Sequence, residues 1–394
     1  MRGGRRGRLG ELGRAIPTLL VAVGLLDSAL RFAPIDPLTF RAWEALTPYR
    51  PSGAAFQPNR RYQTNRSYGD LTAIGNLRSL RRYRAEAFTT DVLGFRNAAH
   101  VLGSPVDAIL VGDSFAVGVG VLDDETLASR LSEPGDCRIY NAGGEAPGAG
   151  PDRILALARH LHMRHRLVIR LYSEDSEVPD IPTAWAMTTR RLVVGAPADA
   201  RRLFGRLRGI LTVSPLKILA ERAWKTLEDD RILPNREAGY VVRGTLYNGD
   251  TMLFLTSRVK RAYERREAAA GYWKWLGDEL RKEGFDLLLV LAPGKYTVYR
   301  PFLVSAGPVG PAADDYLERL ERESRAAGVS VLSLAPVYRA EAARSMADGK
   351  YLYWPDDTHW NARGVALAAG AIREQWPRLG TLCRDEPLLR AQKP

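Results

Sequence analysis

Cysteine and histidine are scarce in this chain, whose 394 residues include two cysteines and five histidines. So few cysteines exclude a small disulfide-stabilised domain and any zinc-finger spacing. Cys137 fits either a small buried residue at the start of a strand or one half of a disulfide with Cys383, so cysteine usage does not indicate a redox compartment. A composition of 45% hydrophobic and 26% charged residues is ordinary for a globular protein.

Long hydrophobic runs are also lacking. The first apolar run, residues 15–26, follows five arginines and stops at Asp27, and it is shorter than the roughly 20 residues that span a bilayer. It fits a signal-peptide core or a marginal signal anchor, with an amphipathic or core helix as the alternative. No small-x-small cleavage site follows, which favours the anchor. Basic residues before it predict a single N-terminal anchor in the inner membrane, with the rest of the chain periplasmic or otherwise extracytoplasmic.

Acidic residues are outnumbered by basic ones, and the formal net charge is +12. A basic surface suits nucleic acid, anionic lipid or an acidic polymer equally well on electrostatic grounds. No zinc knuckle, RNP-type run or other nucleic-acid motif accompanies the charge. We therefore predict no nucleic-acid partner.

Apolar runs alternate with stretches of helical periodicity from about residue 100 onward. Runs of this length, uninterrupted by polar residues, are typical of parallel strands buried on both faces of a sheet. The alternation predicts an α/β fold: a three-layer α/β/α sandwich around a parallel sheet of about five strands. The predicted strands are residues 106–111, 138–141, 167–172, 285–291 and 329–334.

Four segments follow from these runs. Residues 1–33 are the basic leader with its anchor or signal segment, and residues 34–100, rich in Pro, Arg, Asn and Tyr, are predicted as an extended strap. Residues 101–177 and 285–394 form the α/β domain. Residues 178–284 are too long for a plain crossover and are predicted as a helical insertion or cap. Further expectations are a hairpin near Asn248 and Gly249, and helices over about 257–282, 312–327 and from 361 onward.

Polar residues and glycines follow the first two predicted strands. Ligands of open parallel sheets bind beyond the carboxyl ends of the strands, so these residues are predicted to contact one another there. A serine in a tight strand-to-helix turn is exposed and keeps its own N–H free, and glycines let a second backbone N–H approach a ligand. The residues are Gly112, Asp113 and Ser114 after the first strand, and Asn141, Gly143 and Gly144 after the second.

A serine nucleophile needs a base, which is usually histidine. His359 lies just before the last predicted helix and follows Asp356 and Asp357. An acid two or three residues before a histidine orients its ring, as in a Ser-His-Asp triad. His160, His162 and His165 crowd a basic helix end and are interpreted as solvated, so no metal site and no cofactor are predicted.

These residues resemble the SGNH/GDSL hydrolase superfamily. The resemblance is carried by the Gly112-Asp113-Ser114 turn, by Gly143 and by the acid-x-His element that ends at His359. Segments 25–31, 90–97, 292–299 and 357–361 are similar to membrane-anchored bacterial members, in particular the SGNH-like proteins of alginate and other exopolysaccharide O-acetylation. The resemblance implies a flavodoxin-like sheet, Ser114 as nucleophile, His359 as base and the amides of Ser114 and Gly143 as oxyanion donors.

The sequence departs from the family at its third motif. An asparagine is expected after the third strand as an oxyanion donor, but Asp175 occupies that place, and an ionised carboxylate there would oppose an oxyanion. The order also differs, because in the alginate-type acetyltransferases the acid and histidine precede the serine. The triad acid stays open: Asp357 fits the polysaccharide group and Asp356 fits the esterases. Lys295, at the same sheet edge, is interpreted as a substrate contact or a solvated turn lysine.

The sequence therefore predicts serine-dependent acyl-ester chemistry, by an O-acetylesterase or O-acyltransferase, on a cell-surface or exported glycan. Asp113, Asn141, Gly144 and Lys295 are the expected substrate contacts. A lipid esterase and a catalytically weak glycan-binding component of an acylation or export complex are the alternatives. The expected partners are an acylated glycan or another ester, a membrane-bound acyltransferase, and the membrane through the N-terminus.

Overall fold

A computed structural model describes residues 4–30, 39–47, 54–103, 105–132, 137–144, 150–161, 163–178, 181, 214–228, 232–264, 266–305 and 315–375. Its strands are β1 Arg61–Ser67, β2 Arg84–Thr89, β3 Val106–Gly112, β4 Ile139–Gly143, β5 Met163–Ser173, β6 Val241–Leu246, β7 Thr251–Leu255, β8 Asp286–Ala292, β9 Leu303–Ser305 and β10 Ser330–Ser333. Its α-helices are α1 Gly4–Leu30, α2 Ala42–Leu46, α3 Asp70–Ile74, α4 Ser114–Val117, α5 Leu127–Ser132, α6 Pro151–Ala158, α7 Pro215–Leu227, α8 Thr256–Arg261, α9 Ala270–Lys282, α10 Lys295–Tyr299, α11 Tyr316–Ala326, α12 Ala335–Ser345 and α13 Ala362–Gln375. Short 3-10 turns lie at Arg78–Leu80, Val101–Gly103, Asp123–Glu125, Arg236–Tyr240 and Arg300–Phe302.

The five predicted apolar runs form one parallel sheet. The strands lie side by side in the order β10-β8-β5-β3-β4, and each neighbouring pair is parallel. Counted along the chain, this order is 2-1-3-4-5, the flavodoxin-like arrangement, whose ligand site lies where the chain reverses direction across the sheet, between β3 and β5. The predicted α/β fold of SGNH type is confirmed.

Side chains of β3 alternate between two hydrophobic cores, one on each face of the sheet. Ala108 and Leu110 belong to one core, and Ile109 and Val111 belong to the other. All seven residues of β3 are buried. Helices α5, α10, α12 and α13 pack on the first face and α6, α9 and α11 on the second. The burial of both faces explains why the strand lacks the polar alternation of a half-exposed strand.

Residues 178–284, predicted as a helical insertion, contain strands as well as helices. The predicted hairpin near Asn248 is present as β6 and β7, which pair antiparallel, and Gly249 in its turn has φ +86. Strand β9 adds to β6 to complete a three-stranded sheet. The single helix predicted over 257–282 is two helices, α8 and α9.

Residues 54–103, most of the predicted extended strap, fold instead of running extended. Strands β1 and β2 pair antiparallel. Arg96 donates to the Ala87 carbonyl within this unit and to the carbonyls of Gly118 and Val121 in the α/β domain, which ties the two together. A 3% exposed arginine with this many acceptors is a structural tie. The division of the chain into four segments stays a prediction.

Helix α1 corrects the prediction of a membrane anchor. Although it has 27 residues, no helix in the described parts of the chain is long and apolar enough to cross a membrane. The single N-terminal anchor, and the inner-membrane location derived from it, are therefore wrong. Arginines before the apolar run and Asp27 within the helix keep its mean hydropathy low. Asp27 has partners within the protein. It accepts hydrogen bonds from the Ser214 hydroxyl and, at 3.3 Å, from the Leu216 N–H at the start of α7.

Cys137 lies just before the start of β4. Cys137 is 3% exposed and disulfide-bonded, whereas Cys383 lies outside the described residues. Residues 182–213 of the predicted insertion and residues 376–394 at the C-terminus also lie outside them.

Candidate active site

Ser114 begins helix α4, two residues after β3 ends. Asp113 caps this turn by accepting the Phe115 N–H at 3.0 Å. Its second oxygen accepts the hydroxyls of Ser173 and Ser176, each at 2.6 Å. The carboxylate therefore ties the serine turn to the end of β5, and Asp113 does not take the substrate-binding place predicted for it.

Gly143 lets the end of β4 pass very close to α4. A Cβ on Gly143 would lie 2.4 Å from the Val117 nitrogen, so only glycine fits here. Its N–H donates to Asn141 Oδ1 at 2.8 Å, and the Gly144 N–H donates to the Gly112 carbonyl at 2.9 Å. Because both amides already have acceptors, Gly143 does not offer the oxyanion donor predicted for it, and Asn141 supports the turn from a 1% exposed position.

The amide of Ser114 is the remaining oxyanion donor of the predicted set. Within the described part of the chain this amide has no backbone acceptor outside helix α4, and the serine is only half-buried. Ser114 and Gly144 both line the same cleft. An acyl oxygen bound there would meet the Ser114 N–H directly, as the predicted mechanism requires.

His359 joins the serine to an acid. Its Nε2 lies 2.7 Å from Ser114 Oγ, and its Nδ1 lies 2.8 Å from Asp357 Oδ1. A carboxylate accepts and does not donate, so Nδ1 carries the proton and Nε2 is free to accept the serine hydroxyl. The neighbouring Asp356 faces away and accepts the N–H groups of Gly69 and Arg82 at 2.8 and 3.0 Å. The geometry thus selects Asp357 from the two predicted acids.

The imidazole of His359 is 7% exposed. Burial lowers the pKa of His359 to about 4, an effect that Asp70 opposes and Arg41 reinforces. At neutral pH the ring is therefore uncharged. An uncharged imidazole that already contacts a serine hydroxyl is a general base for that hydroxyl.

Two arginines that sequence reasoning missed bind the triad acid. Arg84 Nη2 donates to Asp357 Oδ2 at 2.5 Å, and its Nη1 donates to Asp356 Oδ1 at 2.9 Å. Arg41, which is fully buried, forms an ion pair with the same Oδ2 and donates its Nε–H to the Tyr68 carbonyl at 2.9 Å. Both come from segments whose spacing resembles no motif, so the basic composition of the strap was their only signal.

Asp70 is a second carboxylate at His359, and it too was missed. Its Oδ2 lies 3.6 Å from His359 Nδ1. Among the described residues, Asp70, Asp357 and His359 form the group whose ligand atoms lie within 4.8 Å of one another, as a metal site would need. Guanidinium groups on Asp357 oppose a cation at this place.

Lys295 is neither the substrate contact nor the solvated lysine that its position suggested. It is 5% exposed, and its Nζ donates to the carbonyls of Leu253, Trp354, Pro355 and Asp357 at 2.7 to 3.0 Å. Burial lowers its pKa to about 7. Three of the four carbonyls belong to the loop that carries Asp357, so Lys295 fixes that loop from inside the protein.

Asp175 contacts two arginines of α8. Its Oδ1 is 4.0 Å from Arg258 Nε, and its carbonyl accepts from Arg261 Nη1 at 3.0 Å. Burial raises the pKa of Asp175, and Arg258 opposes the rise. Asp175 is absent from the cleft that contains Ser114 and His359. The predicted place of Asp175 in the oxyanion hole therefore has no geometric support.

A cleft of about 530 Å³ opens at Ser114 and His359. Its lining includes aromatic side chains from the segment before β1 and charged side chains of α7. A cavity of about 620 Å³ elsewhere contains none of the triad residues. Residues that line the cleft around Ser114 and His359 include Phe40, Trp43, Phe56, Ile74, Arg222 and Lys225.

Comparison with known proteins agrees with this geometry. Residues 248–387 match the family described as SGNH hydrolase-like domain, acetyltransferase AlgX. The chain is also 26% identical over 176 residues to the probable alginate O-acetylase AlgJ of Pseudomonas putida. The resemblance to the SGNH-like proteins of alginate O-acetylation is confirmed. This second match covers 43% of the chain and 42% of the relative, less than half the length of either.

The family match includes only part of the site. Asp357 and His359 lie inside the matched residues 248–387, whereas Ser114 lies outside them. The assignment of Ser114 as the nucleophile therefore depends on its own motif and on its 2.7 Å distance to the histidine.

Proposed function

We propose that this protein performs serine-dependent acyl-ester chemistry on an exopolysaccharide, by hydrolysis or transfer of an O-acyl group. The observation that carries the proposal is the hydrogen-bonded series Ser114, His359 and Asp357, with distances of 2.7 and 2.8 Å. The match to an SGNH-like acetyltransferase family supports the same chemistry.

In the first half-reaction, His359 Nε2 accepts the hydroxyl proton as Ser114 Oγ attacks the acyl carbon. The carbonyl π pair moves to oxygen, and the resulting oxyanion is held by the Ser114 N–H. When the tetrahedral species collapses, the C–O bond to the alcohol breaks, and His359 returns its proton to the departing oxygen. An acyl-serine remains.

The second half-reaction decides between hydrolysis and transfer. Water or a sugar hydroxyl attacks the acyl-serine, again losing its proton to His359, and Ser114 recovers that proton as it leaves. For transfer an acyl donor has to reach the same serine, and a membrane-bound acyltransferase partner is what this proposal implies for that step.

The cleft supports a substrate larger than a small ester. Trp43 is 41% exposed and packs edge-on against Phe40 at 5.7 Å, so its indole offers a flat apolar surface near Ser114. A sugar ring packs well on such a surface, with polar groups at the rim to bind its hydroxyls. Arg222 and Lys225 also line the cleft, where the Arg222 guanidinium lies over the Phe40 ring at 5.2 Å and pairs with Glu44.

The alternative of a catalytically weak glycan-binding component loses the observation that suggested it. That alternative depended on a carboxylate opposing the oxyanion, and Asp175 faces Arg258 instead. No feature of the cleft distinguishes a lipid esterase, so that alternative is decided by the choice of test substrates.

The test is labelling of the full-length protein with a fluorophosphonate, followed by peptide mapping, together with turnover of p-nitrophenyl acetate. We expect one adduct at Ser114, and none in Ser114→Ala. Acetate release from an O-acetylated polysaccharide, set against release from p-nitrophenyl decanoate, separates a glycan substrate from a lipid. Absence of both labelling and turnover in the wild-type protein would overturn the proposal.

A further inference from the structure

The Nδ1 edge of His359 faces two carboxylates, where a Ser-His-Asp triad needs only one. Asp357 Oδ1 lies at 2.8 Å and Asp70 Oδ2 at 3.6 Å. Asp70 belongs to α3, in the segment predicted as a strap, and it lines the catalytic cleft with its side chain 17% exposed. The nearer acid makes the hydrogen bond, so the second one requires another explanation.

The charge of Asp357 is already shared. Arg84 and Arg41 both contact its Oδ2, and the Arg84 guanidinium lies 8% exposed and that of Arg41 0% exposed. Arg84 is shared with Asp356, whose Oδ1 accepts its Nη1–H at 2.9 Å, whereas Arg41 pairs with Asp357. Asp357 thus fixes the orientation of the ring, but much of its negative charge is offset by these guanidinium groups.

The reaction places a positive charge on that ring. When His359 takes the serine proton, the imidazolium faces the carboxylates of Asp70, Asp357 and Asp113 and the guanidinium groups of Arg41 and Arg84. Asp113 is bound to two serine hydroxyls on the other side of Ser114. At the Nδ1 edge, removing Asp70 would leave the ring facing Asp357 alone, a carboxylate already paired with Arg41 and Arg84.

Asp70 is held in place for this role. Thr358, next to the histidine, donates its N–H to Asp70 Oδ1 at 2.8 Å and its hydroxyl to Oδ2. The adjacent Gly69 donates its N–H to Asp356 at 2.8 Å, and a Cβ on this glycine would collide with the Asp356 carbonyl. Both ties fix the start of α3 against the histidine loop.

We propose that Asp70 is a second acid of this site, whose charge stabilises the imidazolium of His359 while Asp357 fixes the orientation of its ring. The proposal rests on the proposed function, because an imidazolium forms only if His359 is the base. Asp70 does not touch the reacting atoms. It is a positioning residue that acts through the charge on His359.

The decisive experiment is the Asp70→Asn substitution in the full chain. We expect kcat/KM for p-nitrophenyl acetate to fall at least about tenfold, the change that corresponds to one pKa unit of the imidazolium. In the Ser114 phosphonate adduct, NMR of ¹³C-labelled histidine should give a His359 pKa about one to three units lower than in the wild-type adduct. Asp348→Asn, at an exposed carboxylate that does not line the cleft, should change neither value.

The direction of the shift separates electrostatics from loosened structure. If Asp70 merely supported the fold, its loss would hydrate His359 and raise the ring pKa toward its ordinary value near 6.5. An unchanged or raised pKa in the Asp70→Asn adduct would overturn the proposal, whatever the activity.

The proposed function and this inference fail in different ways. If the wild-type protein neither takes phosphonate at Ser114 nor turns over ester, the proposed function has failed, and His359 is then titrated in the free protein. There Arg84→Met raises the histidine pKa into a convenient range, and adding Asp70→Asn to it should lower the pKa again. A pKa that stays constant between these two variants would overturn the role of Asp70 independently of catalysis.

Discussion

His359 Nε2 and Ser114 Oγ lie 2.7 Å apart although 245 residues of sequence separate them. The contact is built into the packing of their neighbours. Phe115 lies against the His359 ring at a centroid distance of 5.1 Å and against Trp360 at the same distance. The residue after the nucleophile thus positions the base, and the two sequence motifs form one unit.

Removal of either partner should abolish ester turnover. We expect Ser114→Ala and His359→Ala each to lower kcat/KM for p-nitrophenyl acetate by at least about 10³-fold, because without the base the hydroxyl is not activated. The double variant should be no slower than the single ones, since triad members act as a unit. Additive losses would contradict the shared mechanism.

The matched control is Ser330→Ala, an exposed serine on the edge strand β10. Its turnover should equal that of the wild-type protein. Circular dichroism of all four variants against the wild-type protein checks that the fold is retained, so that a loss of activity reports on chemistry.

The pH dependence should be shifted to acid. Burial lowers the pKa of His359 to about 4, and the neutral ring is the active form. The kcat/KM profile, which reports on the free enzyme, should therefore stay level through pH 6 and fall with a midpoint near 4. An acidic limb with its midpoint near 6.5 would show that the ring is solvated.

Arg84→Met tests a smaller contribution to that shift, which adds to the larger effect of burial. A guanidinium near the ring disfavours the protonated imidazole, so its removal should raise the His359 pKa and move the acidic limb to higher pH. Arg344→Met, which removes an exposed arginine of α12, should leave the midpoint unchanged.

Lys295→Met should destabilise the protein and slow it. The methionine fills a similar volume but removes the Nζ hydrogen bonds to four buried carbonyls, of which only those of Trp354 and Pro355 keep a backbone N–H donor in the described structure. We expect a loss of about 3 kcal/mol in the free energy of unfolding. Because the loop to Asp357 is then no longer fixed, kcat should fall while KM changes little. Urea unfolding and steady-state kinetics measure both effects.

Lys274→Met is the control for that substitution, since this helical lysine is 53% exposed. It should shift neither the unfolding free energy nor kcat appreciably. If Lys295→Met behaves in the same way, the buried lysine does not hold the loop.

The parallel sheet and the Ser-His pair could be predicted because each depends on local signals. Apolar runs bounded by turn residues locate β3 and β5. The Gly112-Asp113-Ser114 turn and the segment 357–361, which contains His359, occur at positions that the fold brings together. The prediction of a membrane anchor was wrong for a physical reason. A short apolar run looks the same in a signal segment as in a helix of the folded protein, and the sequence does not show that Asp27 has a partner, Ser214, 187 residues away.

The supporting charges could not be predicted. Arg41, Asp70 and Arg84 come from a segment without periodicity, and their roles depend on which loop packs against it. Lys295 shows the same limit, because a lysine after a strand is ordinarily solvated and only the tertiary structure buries it. Sequence spacing can locate functional side chains that lie next to a strand end or turn. It cannot locate the side chains from distant segments that the fold brings into contact with them.

The cleft wall should distinguish a glycan from a small ester. Trp43→Ala removes an exposed indole from the cleft, and we expect KM for an acylated oligosaccharide to rise roughly five- to tenfold, with p-nitrophenyl acetate unaffected. Trp224→Ala is the matched control, because this tryptophan is 55% exposed but does not line the cleft. Equal effects of the two substitutions would refute a sugar contact at Trp43.

The prediction for Asp175, the residue of the third motif, changes direction once the structure is known. A carboxylate in the oxyanion hole predicts that Asp175→Asn would raise esterase activity about tenfold or more. Since Asp175 instead faces Arg258 and lies outside the cleft, we expect its kcat/KM to stay within about threefold of the wild-type value. Asp113→Ala, which frees the serine turn from Ser173, should lower activity at least about tenfold. A large rise in Asp175→Asn would restore the oxyanion-hole interpretation and show that the end of β5 lies nearer to the nucleophile.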